Sequence, residues 1–514
     1  VGHTIPKKEV YRLPELLLGI DIGTSACKVA AFEADGTVAA QATRSYQVFY
    51  PNPGWAEQDP EQWWVAVCEA IRDVLQQPQV DSKKIVGIGI DGQSWSAIAL
   101  SGDGDVLCRT PIWMDTRSQG ICDRLSRQIG AERIFSVSGN SIKPSYTLPK
   151  ILWYKDQAPQ IYEKIDKILQ SNGFIAWKLT GEITQDVSQG YGLQCFDMRK
   201  KKWDAGMCRE MGISMSMLPQ LVECDCIIGR VTHKASRDCG LPEGIPVVAG
   251  GLDAACGTLG AGVIEEGQTQ EQGGQAGGMS ICLSRYCADP RLILGYHVVP
   301  GKWLLQGGTT GGGGVMQWLS RELAEPEHQR ARECGGSVFA EMDKLAAKIP
   351  AGSEGVLFLP YMAGERSPIW NPYAKGVFYG LDFTKTRAHF YRAAMEGVAY
   401  SLRHNLEIAA QAGAPVTQLH AMGGAANSRL WTQIKSDVTQ LPIRSAKSDM
   451  ATTLGAAMLA GVATGVYKDY AQAVRQTVNM ERSYVPNEEN SSVYERGFRD
   501  YLKLYSQLET LMHG

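Results

Sequence analysis

Two aspartates stand at the mouths of apolar strands, each beside glycine. Residues 16–32, LLLGIDIGTSACKVAAF, run into Asp21, turn through Gly23, Thr24 and Ser25, and resume as a strand carrying Lys28. Ordinary hairpin chemistry uses the same residue types, so this stretch alone does not define a site. Residues 251–262, GLDAACGTLGAG, place Asp253 directly after a strand, at the first turn of a small-residue helix. An aspartate there is a favoured helix cap. It is also a group able to accept a proton from an attacking hydroxyl. The two roles are compatible.

The chemistry that unites such features is phosphoryl transfer, in which the protein positions the reactants and neutralises phosphoryl oxygens, with Mg²⁺ assisting. Glycine turns and helix N-termini supply backbone N–H groups without bulk. Thr24 and Ser25 add hydroxyls, and Asp21 suits Mg²⁺, directly or through water, because hard cations prefer carboxylate oxygen. Further glycine-bearing stretches are GIGIDGQS, EQGGQAGGMS, QGGTTGGGGV and AMGGAANS, each flanked by strand or helix patterns. No G-x-x-x-x-G-K-[ST] loop occurs, and GTLGAG has the wrong spacing for a dinucleotide fingerprint.

Composition narrows the class. A chain of 514 residues exceeds one hydrophobic core, so at least two domains are expected. A net charge of −3 argues against a nucleic-acid partner. No window is apolar enough to span a membrane, and the polar start, VGHTIPKKEVYRLPE, lacks a secretory signal pattern. Thirteen scattered cysteines suggest reduced thiols and a cytoplasmic protein. Cys224 and Cys226 have no second ligand pair at zinc-site spacing. The eight histidines form no H-E-x-x-H motif.

The elements that must position these residues follow from periodicity. Three strands are predicted between 16 and 46, then a helix capped by Asp59 with Trp63 and Trp64 on its packing face, then a buried strand KKIVGIGIDG. The second half repeats the theme. It has a strand IPVVAGG (245–251), a small-residue helix, a hairpin in GQTQEQGGQAGGMSICLS, and a helix HFYRAAMEGVAYSLRHNLEIAAQ. A strand QLHAMGG, a helix near 428–439 and a small-residue helix 451–463 follow. The chain reads as two α/β domains, 16–262 and 263–514, with a ligand cleft between them.

At this point a family becomes recognisable. GIDIGTSACKV, PGWAEQDPEQWW, SYTLPKILWYKDQ, GGLDAACGTLGAG, GERSPIWNP, GVFYGLDFTKTRAHFYRAAME and GGAANSRLW occur in the order found in FGGY carbohydrate kinases. The chain resembles that family along nearly its whole length, most of all its xylulokinase members. The resemblance implies two ribonuclease H-like domains of the actin/hexokinase type, closing over ATP and a small-molecule sugar. It implies Asp253 as general base and Asp21 beside Mg²⁺ and the γ-phosphate, with Gly23, Thr24, Ser25 and Lys28 in the phosphate turn. Gly274 and Gln275 fall in a second phosphate hairpin, Gly313 faces nucleotide, and Gly424 and Asn427 lie in the adenosine segment. Gln93, Ser94, Trp95, Asp115 and Arg117 lie in segments near the sugar.

The implied reaction is conversion of a ketopentose such as D-xylulose to its 5-phosphate. Another ketose or a polyol (ribulose, glycerol-like) is the alternative substrate, and a nucleotide-binding regulator that has lost transfer is the alternative role. Similar kinases often form homodimers. The two acids are expected to converge from opposite lobes.

Two departures from the family pattern stand out. Gln93 is followed by Ser94-Trp95 where Met-His is usual in xylulokinases. The second hairpin reads Gly274-Gln275-Ala276-Gly277 where Gly-Thr-Ser is common. Losing the threonine's hydrogen bond to a charged phosphate oxygen costs about 1.5–3 kcal/mol if nothing replaces it.

Overall fold

The computed structural model describes residues 15–446 and 450–512. The polar start taken to lack a secretory signal therefore lies, but for Glu15, outside the described residues. Among the described residues, no helix is long and apolar enough to cross a membrane.

The first domain begins with a meander: β1 (Leu16–Ile22), β2 (Ala26–Glu33) and β3 (Val38–Ser45). Asp35 and Gly36 make the second turn, as the sequence predicts. Helix α1 (Pro60–Leu75) starts where Asp59 accepts from Glu61 N and proline occupies the first turn. Its Trp63, Val67, Ile71 and Val74 pack with Ile20, Val29 and Ile90 in one core, so the tryptophan pair is structural.

Strand β4 (Ile85–Gly92) lies parallel to β1. Strands β5 (Ile227–Arg230), β6 (Pro246–Val248) and β7 (Gly251–Leu252) complete a sheet ordered β5-β6-β4-β1-β2-β3, with β7 also on β4.

The segment IPVVAGG is thus two short strands and not one. Gly250, at φ +75°, breaks them apart, and a side chain there would collide with the Ile90 carbonyl, 1.8 Å from the would-be Cβ. The kink returns the chain to β4 with Gly251 opposite Asp91. Helix α2 (Asp253–Gly260) starts immediately afterwards. A local glycine conformation therefore aims Asp253 at the end of the central strands.

The second domain repeats the plan. Its strands are β8 (Gln268–Gly273), β9 (Gly277–Leu283), β10 (Ile293–Tyr296) and β11 (Trp303–Thr309). Helices α3 (Gly313–Leu323), α4 (Val338–Ala346) and α5 (Arg387–Gln411) follow. Strand β12 (Gln418–Met422), helix α6 (Arg429–Thr439), strand β13 (Ile443–Ala446), helix α7 (Ala451–Ala463) and strand β14 (Met480–Tyr484) come last. The sheet order is β10-β11-β9-β8-β12-β13-β14. In each sheet an antiparallel three-strand run is extended by parallel strands on the far side of its first strand.

Helix α7 belongs to the second half of the sequence yet packs on β1, β4 and α2 of the first sheet. Its contacts are backbone-close. Cβ atoms added at Gly19 and Gly89 would lie 2.2 and 1.8 Å from the carbonyl oxygens of Thr453 and Ala456, and one at Gly455 would lie 1.9 Å from that of Cys256. Gly455→Val should therefore destabilise the protein by at least about 2 kcal/mol, because neither backbone can yield to the new methyls. A fall in thermal midpoint with a matching loss of nucleotide affinity checks this; an unchanged midpoint would refute the packing.

Candidate active site

The chain's first strand delivers Asp21 to the carboxyl end of β1, 6 % exposed. Its neighbour across the parallel pair is Asp91 on β4, fully buried. Across the hairpin its register partner is Lys28, whose Nζ lies 3.8 Å from Oδ2. Asp253 follows β7 on the other side of β4 and accepts from Ala254 N at 2.7 Å.

Three carboxylates thus gather at the ends of adjacent strands of one sheet. This corrects the expectation that the two acids come from opposite lobes. The parallel pairing of β1, β4 and β7 places them side by side in the first domain.

Electrostatics distinguishes their roles. Burial raises Asp21 above the usual carboxylate range, opposed by the Lys28 charge. Asp91 is pushed well above that range by burial and then by the charges of Asp21 and Asp253. Both Asp91 oxygens are buried, with Asp21 beside them across the parallel pair. Burial, then Asp21, raises Asp253 to about 7. A carboxylate poised there is matched to proton transfer near neutrality. Asp91 was not singled out from the sequence, although GIGIDG repeats the strand–Asp–Gly pattern of GIDIG.

The turn between β1 and β2, expected to meet phosphate, is held by a web of side chains. Gly23 accepts from the Tyr46 hydroxyl. The Thr24 carbonyl accepts from Gln58 Nε2 at 2.7 Å, and Thr24 Oγ1 accepts from Trp113 Nε1 at 2.9 Å. Gln93 donates to Gln58 Oε1 at 2.7 Å, which makes it a strut beneath this turn. Ser25 lies beside Thr24 at the start of β2, its carbonyl accepting from Tyr46 N.

Ser94 and Trp95 line a small cavity of about 110 Å³ between the domains, with Tyr191, Ala254, Gly277 and Gly308. Trp95 adopts φ +55°, a conformation rare outside glycine. It is kept there by Tyr146 and Tyr191, edge-on at 4.7 and 5.8 Å, and by Gln189 Oε1, which accepts from its backbone N at 3.1 Å. Such strained residues gather at ligand sites. Trp95 Nε1 and Tyr191 Oη are both buried beside this cavity. Tyr191 was missed because a lone tyrosine between two glycines carries no motif.

Asp115 and Arg117 do not line that cavity. Arg117 pairs with Asp115 and Glu57, at 2.7 Å to each, and lies 3.7 Å over the Trp55 ring. Asp115 also accepts from Ala56 N at 2.8 Å. The pair is a closed internal brace that fixes the 55–58 segment, and with it Gln58 under the phosphate turn.

The residues expected at nucleotide do converge. Gly274, Gln275, Gly313, Gly424 and Asn427 line one cavity of about 530 Å³, walled by Phe339, Asp343 and Trp431. Gly313 N donates to the Gly274 carbonyl at 2.7 Å, and Gly314 N to that of Gln275 at 2.9 Å, which fastens the second turn to the start of α3. The hairpin separates the two cavities: Gly273–Gln275 face the larger one, Gly277 and Gly278 the smaller.

All thirteen cysteines are free, and no group of three His, Cys, Asp or Glu among the described residues is arranged to hold a metal.

Two ribonuclease H-like domains, two Gly-turned hairpins, an acid cluster at the strand ends and a nucleotide-sized cavity define a phosphotransferase of the actin/hexokinase type. Residues 16–260 match the N-terminal domain, and 282–464 the C-terminal domain, of the FGGY family of carbohydrate kinases. The chain belongs to that family.

It is 31 % identical to a xylulose kinase of Staphylococcus epidermidis over 97 % of this chain and 98 % of the relative. It is 28 % identical to a gluconokinase of Bacillus subtilis over 96 % of each. Among solved structures, a xylulose kinase from Rhodospirillum rubrum superposes with a TM-score of 0.89 at 29 % identity, covering 97 % of this chain and all of the other.

Proposed function

We propose that this kinase transfers the γ-phosphoryl group of ATP to a terminal hydroxyl of a ketopentose, with D-xylulose the first candidate. One observation carries the reading. The second hairpin adjoins two cavities: Gly274 and Gln275 line the nucleotide-sized one, and Gly277 and Gly278 line the small one with Leu252 and Ala254, the neighbours of Asp253. Asp253 takes the acceptor hydroxyl's proton. Asp21 would hold Mg²⁺, and the backbone N–H groups of both turns would donate to phosphate oxygens. Mg²⁺ when bound supplies positive charge to those oxygens. The Lys28 ammonium, 3.8 Å away, opposes the effect of burial and favours the charged form of Asp21.

The xylulose kinases of similar length and pattern support the ketopentose. Ser94-Trp95 favours a second reading, another ketose or a polyol, because the serine offers a hydroxyl and the indole a donor where an imidazole is usual. Sugar-dependent ADP release over a panel of ketoses, alditols and sugar acids tests both. D-xylulose should give the highest kcat/KM; several substrates ranking above it would overturn the first reading.

The pH profile follows from Asp253. The base works in its deprotonated form, and its pKa is raised to about 7. Below that value kcat/KM for the sugar should fall about tenfold per pH unit, and above it should level off. A profile flat from pH 5.5 to 8 would deny Asp253 this role.

A further inference from the structure

Arg366 faces the small interdomain cavity from the second domain, half-buried. Its loop is pinned to the end of β11. Glu365 Oε1 accepts from Thr310 N and Arg366 N at 2.8 and 2.7 Å, and Ser367 Oγ accepts from Gly308 N at 2.6 Å.

The guanidinium itself is left nearly unused. Among the described residues it enters no salt bridge, and its one side-chain hydrogen bond is a long contact from Nη2 to the Thr309 carbonyl, 3.4 Å. Glu365, its sequence neighbour, spends Oε1 on backbone amides. A guanidinium carries five donors in a rigid fork suited to oxyanions, and leaving it unpaired in a low-dielectric gap is costly.

Its surroundings belong to both phosphate turns. The guanidinium lies 5.9 Å from the ring of Trp113, the residue whose Nε1 holds Thr24 Oγ1. Thr309 and Gly308 pair with Gly277 and Gly278 across β9 and β11. Gly308 leaves the space the arginine occupies: a Cβ there would stand 2.8 Å from Nη2.

Asp21, Asp91 and Asp253 gather at the ends of β1, β4 and β7, and among the described residues their one salt bridge is that of Asp21 with Lys28. An arriving phosphoryl group adds negative charge, and the second turn, Gly274-Gln275-Ala276-Gly277, offers no hydroxyl.

We propose that Arg366 is a catalytic residue whose guanidinium donates hydrogen bonds to the oxygens of the phosphoryl group in transit, on the side opposite Asp21. The inference rests on the phosphoryl-transfer reading above. In the step, the acceptor oxygen bonds to the γ-phosphorus as the bond from that phosphorus to the β–γ bridging oxygen breaks. The bond electrons leave with ADP, the hydroxyl proton passes to Asp253, and Arg366 moves no proton.

The test uses full-length protein, Arg366→Gln and Arg366→Lys, with ATP, D-xylulose and D-gluconate. Arg366→Gln should lower kcat about 10²–10³-fold, the worth of one preorganised donor at a developing charge. Arg366→Lys should fall between it and the parent. The sugar KM, the ADP Kd and the thermal midpoint should stay within about threefold or a few degrees of the parent. Binding of ADP with aluminium fluoride, a mimic of the phosphoryl group in flight, should weaken in parallel with kcat.

A kcat within threefold of the parent overturns the proposal. So does a loss confined to KM for D-gluconate, which would make Arg366 a reader of substrate carboxylate. Loss of ADP binding and thermal stability in both variants would assign it a structural role. If the parent protein releases no ADP with any sugar, the phosphoryl-transfer reading itself fails, and that result is separate from all the variant outcomes.

Discussion

Asp253→Asn should lower sugar-dependent ADP formation by roughly 10²–10⁴-fold, the usual worth of a positioned general base. The amide keeps the shape of the carboxylate but cannot take the hydroxyl proton. The fold should not suffer. Asp253 has its pKa raised by burial and by Asp21, so its stabilising influence is greatest below the ordinary carboxylate range and is lost as pH rises through about 7. Above that pH the ionised group opposes folding, and the neutral variant should melt no lower than the parent. ADP affinity should hold, because Asp253 lies outside the cavity lined by Gly274 and Asn427. A turnover near that of the parent would remove Asp253 from the mechanism; a collapse in thermal midpoint would make it a structural cap.

Asp21→Asn should cut turnover by about 10²–10³-fold, because charge stabilisation by a metal at the phosphoryl group is worth several kcal/mol. This variant differs from Asp253→Asn in a readout apart from rate. Binding of Mn²⁺ in the presence of ADP, followed by its spin-resonance signal, should weaken markedly with Asp21→Asn and stay unchanged with Asp253→Asn. Lys28 then loses its ion-pair partner, but at 46 % exposure its ammonium is solvated and the cost is small. Equal metal affinity in both variants would refute Asp21 as the metal's ligand.

Comparing the variants isolates a division of labour that the acid cluster builds in. Burial raises Asp21 and the Lys28 charge opposes that rise; Asp91, beside both other acids, is pushed well above the usual carboxylate range, and Asp253 sits near neutrality. Three residues of one chemical type acquire different proton affinities from burial and from one another.

The sequence alone determined the elements and the local chemistry. Alternation and turn residues gave the meander, Asp59 and Pro60 the start of α1, and glycine spacing both phosphate hairpins, since these signals act over a few residues. The residues that the family resemblance assigned to nucleotide were legible because each lies in a short motif, and Gly274, Gln275, Gly313, Gly424 and Asn427 line one cavity.

Only the tertiary structure decided which residues meet. It set Asp91 beside Asp21 through parallel pairing, turned Asp115 and Arg117 into an internal brace, and brought Arg366 against Trp113 across the domain gap. It also split 245–251 at Gly250 to aim Asp253 into the same sheet as Asp21. Register between distant strands and the seating of one domain on another arise from packing of whole surfaces, and no local residue pattern encodes them.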